Sequence, residues 1–216
     1  MLSDIAFLFY FFSLFISFIG SCIMFSKIEI AFKWIGILLI VTFLNELNTR
    51  FLVKSLSIQS NGVYHFFVPI EFSIYTIIFA TFINLKRWNK ILILLVFLLV
   101  IIEILNTLFL QPIYVTNTNT MIIESVFLVL LSLILYIRIK ESTYYKNLLL
   151  EGVFWFNSSI LFYYAFNILV WGFHNWDFIN PPLIMYDINA FLCGLMYLTF
   201  LFSIYLNFIQ VRKLKN

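Results

Sequence analysis

Five carboxylates stand where carboxylates are rare. Glu46, Glu71, Glu103, Glu124 and Asp187 each fall within or at the edge of a long apolar run. The stretch 64–75, YHFFVPIEFSIY, is the most concentrated example, with His65, Pro69 and Glu71 at the start of one such run. An ionisable group inside hydrocarbon costs at least about 2.5–3.5 kcal/mol unless it faces protein, water or a partner. Glu46 has Arg50 at the i,i+4 spacing that pairs two side chains on one helix face. Glu71, Glu103, Glu124 and Asp187 have no base on their own runs, and His65 and His174 are the only histidines. Either several of these acids are protonated and hydrogen-bonded, or a cation occupies the space between them. Coupled acids of this kind hold a cationic ligand or relay protons, and the surrounding Tyr and Trp rings suit an organic cation.

Helical spacing adds neutral partners. Glu103 and Asn106 are three residues apart, Glu71 and Tyr75 four, and Asn157, Tyr164, Asn167 and Trp171 follow one stripe. The expected ligand-binding set is Glu71, Glu103, Glu124, Asp187, Asn106, Asn167, Tyr164 and His65. Glu46, Arg50, Asn48 and Asn157 are expected to be structural. Each member of the first set also has a plainer reading. Glu71 and Glu103 could be hydrogen-bond anchors, Glu124 a group that meets water, and Asp187 a cap for its helix. Asn157 and Asn167 have the chemistry of interhelical glue, and His65 and His174 that of ordinary interfacial histidines. A zinc site using His65, His174 and Asp177 is a further alternative, although two histidines give no recognised ligand spacing. Glu151, at the start of a helix, suits the positive end of its dipole.

The elements that must position these groups are membrane spans. Of the 216 residues, 63% are hydrophobic and 11% charged, against about 25% charged in soluble domains. Mean hydropathy is +1.04. Spans of about 20 apolar residues are predicted at about 5–25, 31–53, 64–84, 90–110, 120–139, 149–171 and 183–209. The fold class is therefore all-α, a single seven-helix transmembrane bundle over 1–216. The first run follows an aspartate rather than lysines, so it reads as a span and not a cleaved signal. Cys22 and Cys193 lie in apolar runs and read as small hydrophobes.

Orientation follows from Lys and Arg. With alternating spans, Lys27, Lys33, Lys86, Arg87, Lys90, Arg138, Lys140, Lys146, Arg212, Lys213 and Lys215 fall on one side, and only Arg50 and Lys54 on the other. The positive-inside rule then sets the N-terminus outside and the C-terminus in the cytoplasm. The acids fall in the outer half of the bundle. Residues 46–52, ELNTRFL, echo 103–110, EILNTLFL, and PIEFS at 69–73 echoes MIIES at 121–125. This reads either as a duplication of helix pairs or as chance similarity between Leu/Ile-rich spans.

Several chemistries are excluded or disfavoured. HExxH, GxSxG, Walker A and dinucleotide fingerprints are absent from the sequence. The last span carries no lysine for a retinal Schiff base. The net charge of +3 comes from scattered loop residues and is no nucleic-acid signal. No cofactor is expected.

The runs HFFVPIEF at 65–72 and LLEGVFWFNSSILFYYAFN at 149–167 resemble small seven-helix membrane proteins of the Bacteroidota. The resemblance covers most of the chain and implies a bacterial inner-membrane location. It brings no activity, substrate or catalytic residue. The chain also superficially looks like lipid hydrolases of the ceramidase and lysoplasmalogenase kinds, but their fuller sets of polar ligands are not recognisable.

The expected function is binding or sensing of an ion or a small polar or cationic ligand at an acidic outer-half site. The expected partners are the bilayer, that ligand, and a cytoplasmic protein to receive the signal. Three alternatives stay open: a transporter or proton/cation conductor, an intramembrane lipid hydrolase, and a structural or assembly subunit.

Overall fold

A computed structural model describes residues 2–52, 61–84, 86–141, 147–174 and 183–213. Among these residues, seven helices cross the molecule: α1 Leu2–Met24, α2 Ile30–Leu47, α3 Asn61–Ile83, α4 Lys86–Phe109, α5 Thr118–Glu141, α6 Gly152–His174 and α7 Leu183–Lys213. Their limits lie within a few residues of those expected. Each is long and apolar enough to span a bilayer. Helices are what a hydrocarbon setting demands, because every backbone donor and acceptor must be satisfied within the segment.

Side-chain pairings fix helix directions. Phe9 stacks on Phe191 at 4.7 Å, and the Ser17 hydroxyl donates to the Tyr197 carbonyl at 2.8 Å, so α1 and α7 run parallel. Phe156 meets Phe200 at 5.1 Å while Trp171 meets Tyr186 at 6.2 Å, so α6 and α7 are antiparallel. Alternating passage follows, with chain entry and exit at opposite ends of the bundle. The end carrying the connections α2–α3, α4–α5 and α6–α7 is called the first end below, and the other the second.

Six helices form the ring α1, α2, α3, α5, α6, α7, while α4 lies outside it in the groove between α3 and α5. The sequence of α4 explains its place. It has the highest mean hydropathy of the seven, 2.9, and exposes Leu94, Phe97, Leu108 and Phe109, the last at 75%. Such a surface is at home in lipid.

Local chemistry sets the helix ends. Asn84 stops α3 in the left-handed conformation at φ 47°, its N–H donating to the Ala80 carbonyl at 3.0 Å. After Leu47 the coil widens into a π-turn over Asn48–Leu52. Gly152 lets α6 close on its neighbours: a Cβ there would lie 2.5 Å from the Ser203 carbonyl oxygen and 2.8 Å from Phe32. Pro69 departs from expectation. Since α3 begins at Asn61, Pro69 is inside the helix rather than in its first turns. The missing N–H leaves the His65 carbonyl without its helical donor.

Candidate functional site

A cavity of about 460 Å³ opens at the first end between α1, α2, α3, α5, α6 and α7. Three carboxylates from three helices line it: Glu46 on α2, Glu71 on α3 and Glu124 on α5. Its walls are largely aromatic, with Tyr10, Tyr64, Tyr163, Tyr164, Trp171, Tyr186 and Tyr197 among them. Among the described residues, Arg50 is the only base in the lining. That base is engaged: its Nε donates to Glu46 Oε2 at 3.0 Å, and its guanidinium sits 3.7 Å above the Phe7 ring. The Tyr64 hydroxyl approaches the other oxygen of Glu46 at 3.4 Å. The π-turn is the local device here, since it carries Arg50 back over the end of its own helix.

Glu71 and Glu124 are differently placed. Glu71 is half-buried and faces the cavity, with the Tyr164 hydroxyl directed at it. Glu124 is 3% exposed, and its Oε1 has no hydrogen-bond partner. The two lie within electrostatic reach of each other, and Glu71 also senses Glu46. Further acceptors in the lining stand unpartnered: Asn167 Oδ1, Asn189 Oδ1 and the Thr42 hydroxyl oxygen. The orientation of Asn167 is set by its neighbour. The Ser125 hydroxyl spends its proton on the Met121 carbonyl at 2.7 Å, so it can only accept from Asn167 Nδ2 at 3.0 Å. The Asn167 oxygen is what remains.

Glu103 and His65 are brought together elsewhere. His65 Nδ1 lies 2.7 Å from Glu103 Oε1 and 2.8 Å from Thr107 Oγ1, while Nε2 donates to the Val115 carbonyl at 2.9 Å. Asn117 Nδ2 donates to Glu103 Oε2 at 3.1 Å. This buried knot ties α3, α4 and the connection 110–117 and is not part of the cavity lining. A carbonyl can only accept, so Nε2 carries a proton. The proton between Nδ1 and Glu103 leaves the pair neutral overall whichever atom holds it. Asn106 belongs to a second knot: it donates to Gln111 Oε1 at 3.2 Å and accepts from Asn119 Nδ2 at 3.0 Å.

The other expected residues distribute as follows. Tyr164 and Asn167 line the cavity; Asp187 is half-buried on α7 outside the lining, between Tyr186 and Asn189, which belong to it. Asn48 is exposed. Asn157 is buried below the cavity and donates to the Ser132 carbonyl at 2.9 Å. Glu151 accepts from Gln210 Nε2 at 3.0 Å. The sequence echo has a geometric counterpart. Glu46 and Glu103 each bond to a residue four positions on, Arg50 and Thr107, while Glu71 and Glu124 both line the cavity. For the alternative zinc set, both nitrogens of His65 are already engaged. The His174 side chain and Asp177 lie outside the described residues. Cys22 and Cys193 are free thiols.

Sequence reasoning missed Tyr10, Thr42, Tyr64, Cys193 and Tyr197 in the lining. For α7 the signal was available, because Tyr186, Asn189, Cys193 and Tyr197 recur at spacings of three and four, one helical face.

The floor of the cavity is a septum. A second cavity, about 720 Å³, opens at the second end beside Glu29, Asn84, Glu151, Asn207 and Gln210. On each of four helices the nearest lining residues of the two cavities are ten positions apart: Thr42 and Phe32, Glu71 and Thr81, Tyr163 and Val153, Tyr197 and Asn207. At 1.5 Å per residue that is about 15 Å of helix. Ile35, Leu39, Phe72, Phe79, Phe156 and Phe200 occupy much of it, all fully buried, and Tyr75, Asn157 and Ser203 are buried among them. The Phe156 ring lies 6.1 Å from Phe79 and 5.1 Å from Phe200.

These features define a multi-pass helical membrane protein, embedded in a lipid bilayer, with buried acidic and salt-bridged groups. No protein-family profile, curated protein or solved structure matches the chain.

Proposed function

We propose that this protein binds a small cation at the first-end cavity and acts as a sensor or binding protein. One observation carries the reading. Glu46, Glu71 and Glu124 share a cavity whose single described base is already paired, which leaves Glu71 and Glu124 without a counter-charge. Removing a carboxylate from water costs several kcal/mol, and a bound cation offsets that cost. Protonation would also offset it, which is why occupancy has to be measured.

The septum supports retention over passage. Moving a charge through apolar surroundings costs at least about 2.5–3.5 kcal/mol, and more where no water follows. About 15 Å of helix, lined mostly by buried aromatic and aliphatic side chains with Tyr75, Thr76, Asn157 and Ser203 buried among them, separates the two cavities. The first end is taken as the outer face, by the distribution of Lys and Arg, and the membrane as a bacterial inner membrane. The ligand would then enter from outside, and a cytoplasmic partner would read helix movement at the second end.

The test uses the purified full chain in lipid nanodiscs. Its thermal unfolding is followed at constant ionic strength with sodium, potassium, calcium, tetramethylammonium and phenethylammonium chlorides. At least one should raise the midpoint saturably in wild type and not in Glu71→Gln. If none does, or if Glu71→Gln responds like wild type, the reading fails.

A further inference from the structure

Resting on that cation-binding reading, we infer that the ligand is a primary ammonium carrying an aromatic or similar apolar body. The ammonium sits deep, between Glu71 and Glu124, and the body points toward Trp171 and Tyr186.

Three observations separate this class from other cations. The first is dispersal. Among the described residues, no group of three His, Cys, Asp or Glu side chains is set to hold a metal ion. The carboxylates stand around a space of about 460 Å³, within the roughly 300–1,000 Å³ typical of organic-ligand sites and far larger than a dehydrated metal ion.

The second is the sense of the unpartnered atoms. Glu124 Oε1, Asn167 Oδ1 and Asn189 Oδ1 are acceptors, and the Thr42 hydroxyl can accept as well. Glu124 and Asn167 are 3% and 5% exposed. A buried acceptor left unmatched costs about 1–3 kcal/mol. A primary ammonium brings three N–H donors to this ring of acceptors, whereas a quaternary ammonium brings none. The cavity therefore has the opposite requirement from an aromatic cage built for methylated amines, where rings alone surround the charge.

The third is the gradient along the wall. From Tyr164 through Asn167 to Trp171 is about 10 Å of helix, room for a short alkyl arm and one ring. The acids and amide lie toward the floor. At the rim Trp171 meets Tyr186 edge to face at 6.2 Å, and both rings belong to the lining.

The experiment compares phenethylammonium with three analogues in the full chain in nanodiscs. These are its N,N,N-trimethyl derivative, neutral 2-phenylethanol, and methylammonium, which lacks the ring. Binding is read by thermal shift and by quenching of tryptophan fluorescence, with Trp171→Phe as the control for locality. Phenethylammonium should bind at least tenfold more tightly than each analogue. Glu124→Gln and Glu71→Gln should each weaken it at least tenfold, and Trp171→Phe should abolish most of the quench. Equal or tighter binding of the trimethyl derivative would overturn the requirement for N–H donors. Saturable protection by sodium, potassium or calcium with phenethylammonium inert would overturn the inference and leave the cation-binding reading standing. Silence from every cation would remove both. Glutamine keeps the shape of glutamate, and the ligand-free midpoint of each variant reports its folding separately.

Discussion

His65 and Glu103 meet 2.7 Å apart at the contact of α3 with α4, and neither side chain reaches the cavity that Glu71 and Glu124 line. The pair is buried, with side-chain exposures of 2% and 7%, and every heteroatom in it has a partner. Its work is to fasten α4 and the connection 110–117 to the ring. Removing one partner strands the other in a buried site, which costs about 3–5 kcal/mol for a charged group. His65→Ala and Glu103→Ala should therefore each lower stability by roughly that amount. The double variant should lose much less than the sum, because the two act as a unit. Unfolding of the four proteins in detergent, run as a double-mutant cycle, checks this. Full additivity would mean the pair is not the fastening.

How far the sequence reaches is visible in these same residues. Hydropathy placed all seven spans to within a few residues, because in hydrocarbon the helix is the only economical way to satisfy the backbone. It also placed Glu46, Glu71, Glu103 and Glu124 at similar height. Height along a span follows from counting at 1.5 Å per residue. Azimuth does not. A transmembrane helix is apolar on nearly every face, so little in its pattern says which side meets protein. That is why Glu103 and Asn106 were grouped with Glu71 and Glu124. The high hydropathy of α4 suits a helix outside the ring, but nothing in its pattern shows which way its polar groups turn; they meet His65, the connection 110–117 and Asn119 instead. Arg50 was legible as the partner of Glu46 because the pairing is local.

Arg50 offers a prediction of opposite sign for stability and binding. Arg50 is 38% exposed, but the Glu46 side chain is only 7% exposed, so losing the guanidinium leaves a buried carboxylate short of a partner, at a cost of about 1–3 kcal/mol. Arg50→Ala should lower the unfolding midpoint accordingly. It should also remove the one described positive charge from the cavity lining and free Glu46. Cation affinity should rise several-fold in the same titrations that test Glu71→Gln. A fall in affinity would show that Arg50 contacts the ligand or shapes the site directly.

Two glycines on α6 make a matched pair. At Gly152 an added Cβ would meet the Ser203 carbonyl at 2.5 Å and Phe32 at 2.8 Å, whereas at Gly172 nothing lies within 4 Å. Gly152→Ala should destabilise by about 1–3 kcal/mol through overpacking. Gly172→Ala should be neutral or stabilise by up to about 1 kcal/mol, since alanine narrows the unfolded ensemble at no steric cost. Parallel unfolding curves decide it. Equal effects at both positions would argue against the close approach of α6 to α2 and α7.

Orientation is the remaining link between the cavity and its proposed ligand. Tyr114, 60% exposed in the α4–α5 connection, marks the first end; Leu149, 61% exposed in the turn Leu148–Leu150, marks the second. The two free thiols, Cys22 and Cys193, are replaced by alanine and serine so that only an introduced cysteine reacts. In intact cells a membrane-impermeant maleimide should label Tyr114→Cys. It should label Leu149→Cys only after the membrane is opened, as the eleven-to-two division of Lys and Arg requires. The reverse pattern would turn the acidic cavity toward the cytoplasm. The cavity chemistry would be unchanged, but the ligand would have to be a cytoplasmic amine and the partner at the second end an external one.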